Sequence, residues 1–292
     1  MRNQVSAVKM HWYGSMAPAA NHFALEALFG GNRNKYLGGQ VSVQINDLIE
    51  ESLNHRAVQH PYLDALATGD LPDTGWALRD FADHYYGYSL HFPRYLTSVI
   101  SKLENPAHRN SLLQNLTEES GHYEEEEYAE LAAIGVERSW IEGVPHPQLF
   151  LRFRQANGLT APYDPETEAI ELICWRESFL ATLTHGSAAE ALGALGLGTE
   201  NIVSTIYKPF VKALARTDLH PRDTVFFPLH TAVDDHHQEA LEEISLAFAL
   251  APQGKSDLRR GMIKALSLRS SFWDWLYERA LTCRERADAV LS

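Results

Sequence analysis

The chain has 292 residues, of which 45% are hydrophobic and 22% charged, with a formal net charge of −13. That is ordinary globular composition with enough chain for a large core, and the acidic balance excludes a nucleic-acid surface, which needs basic patches. No run approaches the roughly 20 apolar residues of a membrane span, and Met1 to Ser15 lacks the apolar core of a signal peptide. The two cysteines, Cys174 and Cys283, lie far apart and form no CxxC. They give no disulfide framework, so a reducing cytoplasm is the expected location.

In chain order, residues 1–40 are irregular, punctuated by Gly30-Gly31 and Gly38-Gly39, and read as an N-terminal extension to a domain over 41–292. A helix is expected from Val43 to about Ala57, ending before His60-Pro61. Thr74 can cap the next helix, which runs to about Leu103 and which Pro93 kinks or divides. Asn105-Pro106 starts another, carrying Leu112, Leu116, Glu119, His122 and Glu126 on or near one face and ending near Gly135. Ser139 to Pro165 is loop-rich, with a short helix at Gln148 to Gln155. Glu166 to Ala191 follows as a helix with Ile170, Ile173, Cys174, Glu177 and Leu180 on one stripe. Gly193, Gly196 and Gly198 then break the chain. Further helices are expected over Glu200 to Ala215, Asp223 to about Leu250, and Ser256 to about Ala289. No alternating run is long enough for a sheet and no repeat is present. The fold class is all-α, one domain of about seven core helices.

Two clusters carry the chemistry. Glu119-Ser120-Gly121-His122 and His230-Thr231-Ala232-Val233-Asp234-Asp235-His236-His237 each place a histidine three residues after a carboxylate, a spacing that shares a helical face. At about 100° per residue, His230, Asp234 and His237 fall in one narrow wedge, with Asp235 and His236 outside it. Glu126 is a spare ligand, or a group that orients one. Glu177 sits on an apolar stripe, where a carboxylate is costly without pairing or coordination. Together Glu119, His122, Glu177, His230, Asp234 and His237 offer three carboxylates and three imidazoles. This mixed set suits iron or manganese better than structural zinc. Two Fe(II) ions would keep excess positive charge against three carboxylates, which favours anionic ligands. The bland readings are a surface pair for Glu119/His122, a solvated face for Glu124 to Glu127, core or surface roles for His60, His84, His91 and His185, and packing for Cys174.

These residues, with His60-Pro61-Tyr62-Leu63, the stretch Phe81-Ala82-Asp83-His84-Tyr85-Tyr86 and Phe92-Pro93, resemble the haem-oxygenase-like di-iron oxidases and oxygenases, within the TenA/PqqC-like superfamily, over roughly residues 43–250. The resemblance implies a haem-oxygenase-like helical bundle. It implies Glu119, His122 and His230 on one iron and Asp234 and His237 on the other, with Glu177 bridging or completing the set. It further implies cofactors of two Fe(II)/Fe(III) ions, O2 as co-substrate through a peroxo-di-iron(III) species, an external electron donor and a homodimer. Family reactions include N-oxygenation, desaturation and carbon–carbon cleavage of amino acids or fatty acids. The interval from Glu177 to His230 is longer than in compact members, and Gly193 to Ala215, with Tyr207-Lys208-Pro209, reads as an added helix near the pocket.

The expected function is therefore an O2-dependent non-haem di-iron enzyme acting on a small carboxylate-bearing molecule, a free amino acid before a fatty acid. Tyr86 stands among polar aromatics at the pocket, and Arg94, Arg176 or Lys208 would anchor the carboxylate. Two rivals stay open. One is a metal-free TenA-like hydrolase or PqqC-like oxidase, for which Cys174 is the stripe nucleophile candidate. The other is a non-catalytic helical binding protein. The first has no use for Asp234 and His237 together, the second would be marked by lost ligand residues and none is lost, and fold alone does not decide between them.

Overall fold

Helix starts in this chain are set by local chemistry. The Asp73 carboxylate accepts from the Trp76 N–H at 2.8 Å and so caps a helix that Thr74 merely begins. Asn105 caps the next capped start in the same way, accepting from Ala107 at 2.9 Å with Pro106 in the first turn, where its missing N–H costs nothing. The computed structural model describes residues 45–283, apart from Val233 and the side chains of residues 234–239. The extension expected over residues 1–40 lies outside the described residues.

The helices are α1 (45–53), α2 (Pro61–Thr68), α3 (Thr74–Ser89), α4 (Phe92–Ile100), α5 (Pro106–Glu119), α6 (Glu125–Ala133), α7 (Arg138–Ile141), α8 (His146–Ala156), α9 (Ile170–His185), α10 (Ala188–Leu192), α11 (Asn201–Leu214), α12 (Pro221–Thr224), α13 (Phe226–Ala232), α14 (Asp234–Ala249) and α15 (Gly254–Leu281). No strand occurs among the described residues. Pro93 divides the long third helix into α3 and α4, as its missing donor requires.

The core is aromatic and centred on α15. Its inward stripe, including Leu258, Met262, Leu266, Phe272, Trp273 and Leu276, recurs at helical spacing. Trp273 packs with Tyr62, Phe81, Tyr85 and Phe210 at ring-centroid distances of 6.0 to 6.3 Å. Each such fully buried ring contributes roughly 2–3 kcal/mol of burial energy.

Three expectations are corrected. The helix starting at Pro106 ends at Glu119, well before Gly135. The Gly193 to Glu200 segment does not break the chain but joins α10 to α11 as a π-helix. Its glycines are packing residues: a Cβ at Gly193 would stand 1.9 Å from the Leu258 carbonyl oxygen, and one at Gly198 2.8 Å from the Ala265 Cβ. The absent side chains let this segment lie directly on α15. The Asp223 to Leu250 stretch is divided into α12, α13 and α14.

Candidate metal centre

The end of α5 decides the first ligand. Gly121 adopts φ 87°, the left-handed conformation that glycine takes without steric cost. Its N–H donates to the Glu118 carbonyl at 2.8 Å, and the His122 N–H donates to the Thr117 carbonyl at 3.2 Å. These two bonds form a Schellman cap with Gly121 at its left-handed position. Glu119 therefore stays on the helix and points inward, 4% exposed. His122 lies past the cap and is exposed. The two do not share a face, because the helix that would have aligned them has ended.

The reversed chain returns at α8. The Gly143 N–H donates to the Gly121 carbonyl at 2.8 Å, which brings His146, the first residue of α8, beside Glu119. His146 is 3% exposed, and its Nδ1 stands 3.0 Å from Glu119 Oε1. Its Nε2 lies 2.6 Å from the Tyr123 hydroxyl, a partner that fixes the ring's orientation and leaves Nδ1 toward the site. Burial, then the charge of Glu119, push the Tyr123 hydroxyl well above its ordinary pKa, so it remains a neutral phenol.

His230 arrives from α13. Its Nδ1 is 2.6 Å from the Phe226 carbonyl oxygen. A carbonyl only accepts, so Nδ1 carries the proton and Nε2 is the nitrogen that would coordinate. The His146 and His230 rings are 4.7 Å apart. One ligand atom each from Glu119, His146 and His230 lie within 4.8 Å of one another. Two imidazoles and one carboxylate are the donor set of non-haem Fe(II) oxygenases, so the residues fit iron.

The same three side chains line a cavity of about 30 Å³ with Glu200, Tyr85, Tyr88 and Tyr207. Glu200 ends the π-helix, is 5% exposed, and supplies a second carboxylate to the wall. π-Helical turns gather at functional sites because the extra residue per turn re-aims side chains.

The structure brings Glu119 and His230 together and leaves other expected residues elsewhere. Glu177 is exposed on α9, as is Cys174, and Ile170 is 62% exposed. The buried stripe of α9 is Leu172, Trp175, Phe179 and Leu183. The large rings Trp175 and Phe179 take the core, which turns the Ile170–Cys174–Glu177 stripe outward. Glu126 is exposed on α6. Arg176 is half-buried and ion-paired to Glu168. Arg94 and Lys208 are exposed. Tyr86 is buried against Phe150 and Tyr163, outside the cavity wall. The side chains of Asp234 and His237, with Asp235 and His236, lie outside the described residues.

The places of His146 and Glu200 in the cavity wall were not legible by spacing. The long interval between Glu177 and His230 was the signal for Glu200, since it asks for a carboxylate nearer His230. Gly121, a glycine directly after an acidic helix end, was the signal that Glu119 and His122 would part.

A family model described as iron-containing redox enzyme matches residues 79–270. The chain belongs to that family. Among solved structures, it is similar to a CADD-like protein of unknown function from Nostoc punctiforme PCC 73102, with 13% identity, TM-score 0.61, and coverage of 85% of this chain and 97% of that one. It is similar to a TenA homologue from Pseudomonas syringae pv. tomato DC3000, with 17% identity, TM-score 0.57, and coverage of 82% and 92%. A domain of unknown function with a haem-oxygenase-like fold from Shewanella denitrificans OS217 matches at 17% identity, TM-score 0.51, over 86% and 94%. These likenesses show a haem-oxygenase-like fold. No curated protein matches the chain. Among the described residues, no helix of this family member is long and apolar enough to cross a membrane.

Proposed function

We propose that this chain is a non-haem di-iron oxygenase or oxidase acting on a small carboxylate-bearing substrate, a free amino acid or derivative before a fatty acid. O2 is its co-substrate and an external donor its electron source. The observation that carries the reading is the buried Glu119–His146–His230 set in a member of an iron-containing redox family. Those three residues would hold one iron. Glu200 in the same wall, with Asp234 and His237, would complete a second site. Iron so held would supply the O2 and one-electron chemistry that side chains lack.

The chain's own residues do the rest. The Phe226 carbonyl holds His230 in its ligating tautomer, and Tyr123 holds His146. Phe92, Val203 and Phe226 give the cavity apolar walls that exclude water from reactive species. Cys174, the nucleophile candidate of the hydrolase reading, is exposed on α9 and is not in the cavity wall. A homodimer in a reducing cytoplasm, in keeping with two free cysteines, completes the proposal.

Anaerobic Fe(II) titration of the full chain, followed by O2 uptake against a panel of amino acids and fatty acids, tests it. Two equivalents bound and uptake stimulated by an amino acid are expected. One equivalent would overturn the paired-metal reading, and none would overturn iron altogether.

A further inference from the structure

Arg269 is the most deeply buried charge near the cavity. It projects from the inward stripe of α15 and is 1% exposed. Other sequestered arginines face a carboxylate: Arg154 meets Asp83 at 2.9 Å, Arg279 meets Asp80 at 2.9 Å, and Arg176 meets Glu168. Among the described residues, Arg269 has no carboxylate within ion-pair distance. Its Nη atoms reach only the Tyr85 and Tyr88 hydroxyls, at 3.5 and 3.4 Å, and its Nε has no acceptor. The faces of Tyr88 and Trp175 lie 5.5 and 5.3 Å from the guanidinium carbon. Ring faces attract a cation but do not replace a buried counter-ion.

The hydrogen bonds of this cluster lead from Arg269 to the cavity, whose wall also holds the Glu119 and Glu200 carboxylates. The Tyr85 and Tyr207 hydroxyls are 2.7 Å apart, and both tyrosines line the cavity. Two phenols hold two protons, and the bond between them uses one. Arg269 has no acceptor atom, so it cannot take the other. That proton is left for an acceptor outside the Arg269–Tyr85–Tyr207 chain, and the cavity is the space both rings share. With Tyr85 donating to Tyr207, the chain headed by the Arg269 cation is polarised so that the Tyr207 hydroxyl is a strong donor.

We propose that Arg269, acting through Tyr85 and Tyr207, makes this cavity selective for a carboxylate, which accepts the hydrogen bond the tyrosine pair has left to donate. The inference rests on the oxygenase reading for its substrate class and replaces Arg94, Arg176 and Lys208 as the anchor. Arg269 is a positioning residue: it touches Tyr85, Tyr85 bonds Tyr207, and the two phenols touch the ligand. The guanidinium supplies the charge and the phenols supply the geometry.

Fluorine NMR titration of the full chain with fluoroacetate and with fluoroacetamide, in the presence of Zn(II), tests this. The two probes match in size and differ in charge. Wild type is expected to bind fluoroacetate at least tenfold more tightly than fluoroacetamide. Arg269→Gln should abolish that preference, Arg269→Lys should restore part of it, and Tyr207→Phe should reduce it severalfold. Tyr207→Phe removes a single hydroxyl, so it keeps the question answerable if Arg269→Gln does not fold. Equal binding of the two probes by wild type, or an undiminished preference in both Arg269→Gln and Tyr207→Phe, overturns the proposal. Fe(II) uptake measured on the same proteins separates the two failures. A chain that takes up iron but does not discriminate loses the anchor alone. A chain that discriminates through Arg269 yet takes up no iron loses the oxygenase reading alone.

Discussion

The Gly143 N–H donates to the Gly121 carbonyl at 2.8 Å, and this bond fastens the end of α5 to the approach of α8. Through it Glu119 and His146 meet. A Cβ at Gly121 would stand 2.4 Å from the Val144 nitrogen, at a φ of 87°. Gly121→Ala is therefore expected to cost on the order of 3 kcal/mol, from left-handed strain and overpacking together, and to weaken iron binding. Gly135 has the same φ of 87° but nothing within 4 Å, so Gly135→Ala should cost only about 1–2 kcal/mol and leave iron binding alone. Urea denaturation and iron uptake on both variants check this; equal effects would mean the α5–α8 junction is not what places the ligands.

The metal centre makes a discriminating set of substitutions. Glu119→Gln, His146→Ala, His230→Ala and Glu200→Gln should each lower iron affinity by roughly tenfold to a hundredfold or more. His122→Ala and Glu177→Gln, both at exposed positions, should not. Iron content after anaerobic loading and desalting reads the difference. Iron lost from His122→Ala but kept by His146→Ala would reverse the assignment.

Much of this architecture is legible from sequence, and the failures share one physical origin. Capped starts such as Asn105-Pro106, and the division at Pro93, depend on local chemistry and are found where expected. So is the inward face of Glu119. What local reasoning misses is the competition between residues for the core. Glu177 looks buried on a helical wheel, but Trp175 and Phe179 on the same helix bury more area and set its rotation. Gly193, Gly196 and Gly198 look like breakers until α15 is placed against them. His146 has no partner in its own segment; its neighbours arrive from α5 and α13.

Arg176 shows how a basic residue near a site can serve stability instead. It pairs with Glu168, whose side chain is 2% exposed. Arg176→Ala leaves a buried carboxylate without its cation, expected to cost about 3 kcal/mol, whereas Lys208→Ala on the surface should cost under about 0.5 kcal/mol. Neither should alter the preference for a carboxylate ligand. Thermal denaturation alongside ligand titration checks the pair, and a normal melting temperature with lost ligand binding in Arg176→Ala would restore it as an anchor.

His60 links acidity to stability. It caps α2, its Nδ1 accepting from the Tyr62 N–H at 3.2 Å while Nε2 faces Asp274 at 3.2 Å. Burial, then the nearby Arg56 charge, hold its pKa below the ordinary value of about 6.5, with Asp274 opposing. The unfolded chain thus takes up this proton at higher pH than the folded chain does. The stabilisation is whole above about pH 6.5 and declines as pH falls toward the lowered folded value. Protonating Nδ1 also removes the cap. His60→Asn keeps a capping oxygen and has no titrating ring, so it should flatten the loss of stability between about pH 7 and 5. An unchanged slope in urea unfolding across that range would show that other groups carry the acid response.

The π-helix makes the last case, because it couples packing to the cavity. Gly198 lies against α15, where an added Cβ would meet the Ala265 Cβ at 2.8 Å and the Met262 carbonyl oxygen at 2.9 Å. Neither is the end of a flexible side chain, so the helix itself must shift. Thr199 and Glu200 follow directly and line the cavity. The Thr199 hydroxyl donates to the Ala194 carbonyl at 3.0 Å, five residues back, a bond that suits the wider π turn. Gly198→Ala is expected to cost about 1–3 kcal/mol by overpacking and to weaken iron binding by moving Glu200. Ala265→Gly in the same chain removes the Cβ on the facing helix, so it should recover part of both losses. If the single variant loses stability but binds iron normally, the π-helix is a packing device and Glu200 is not held in place by it.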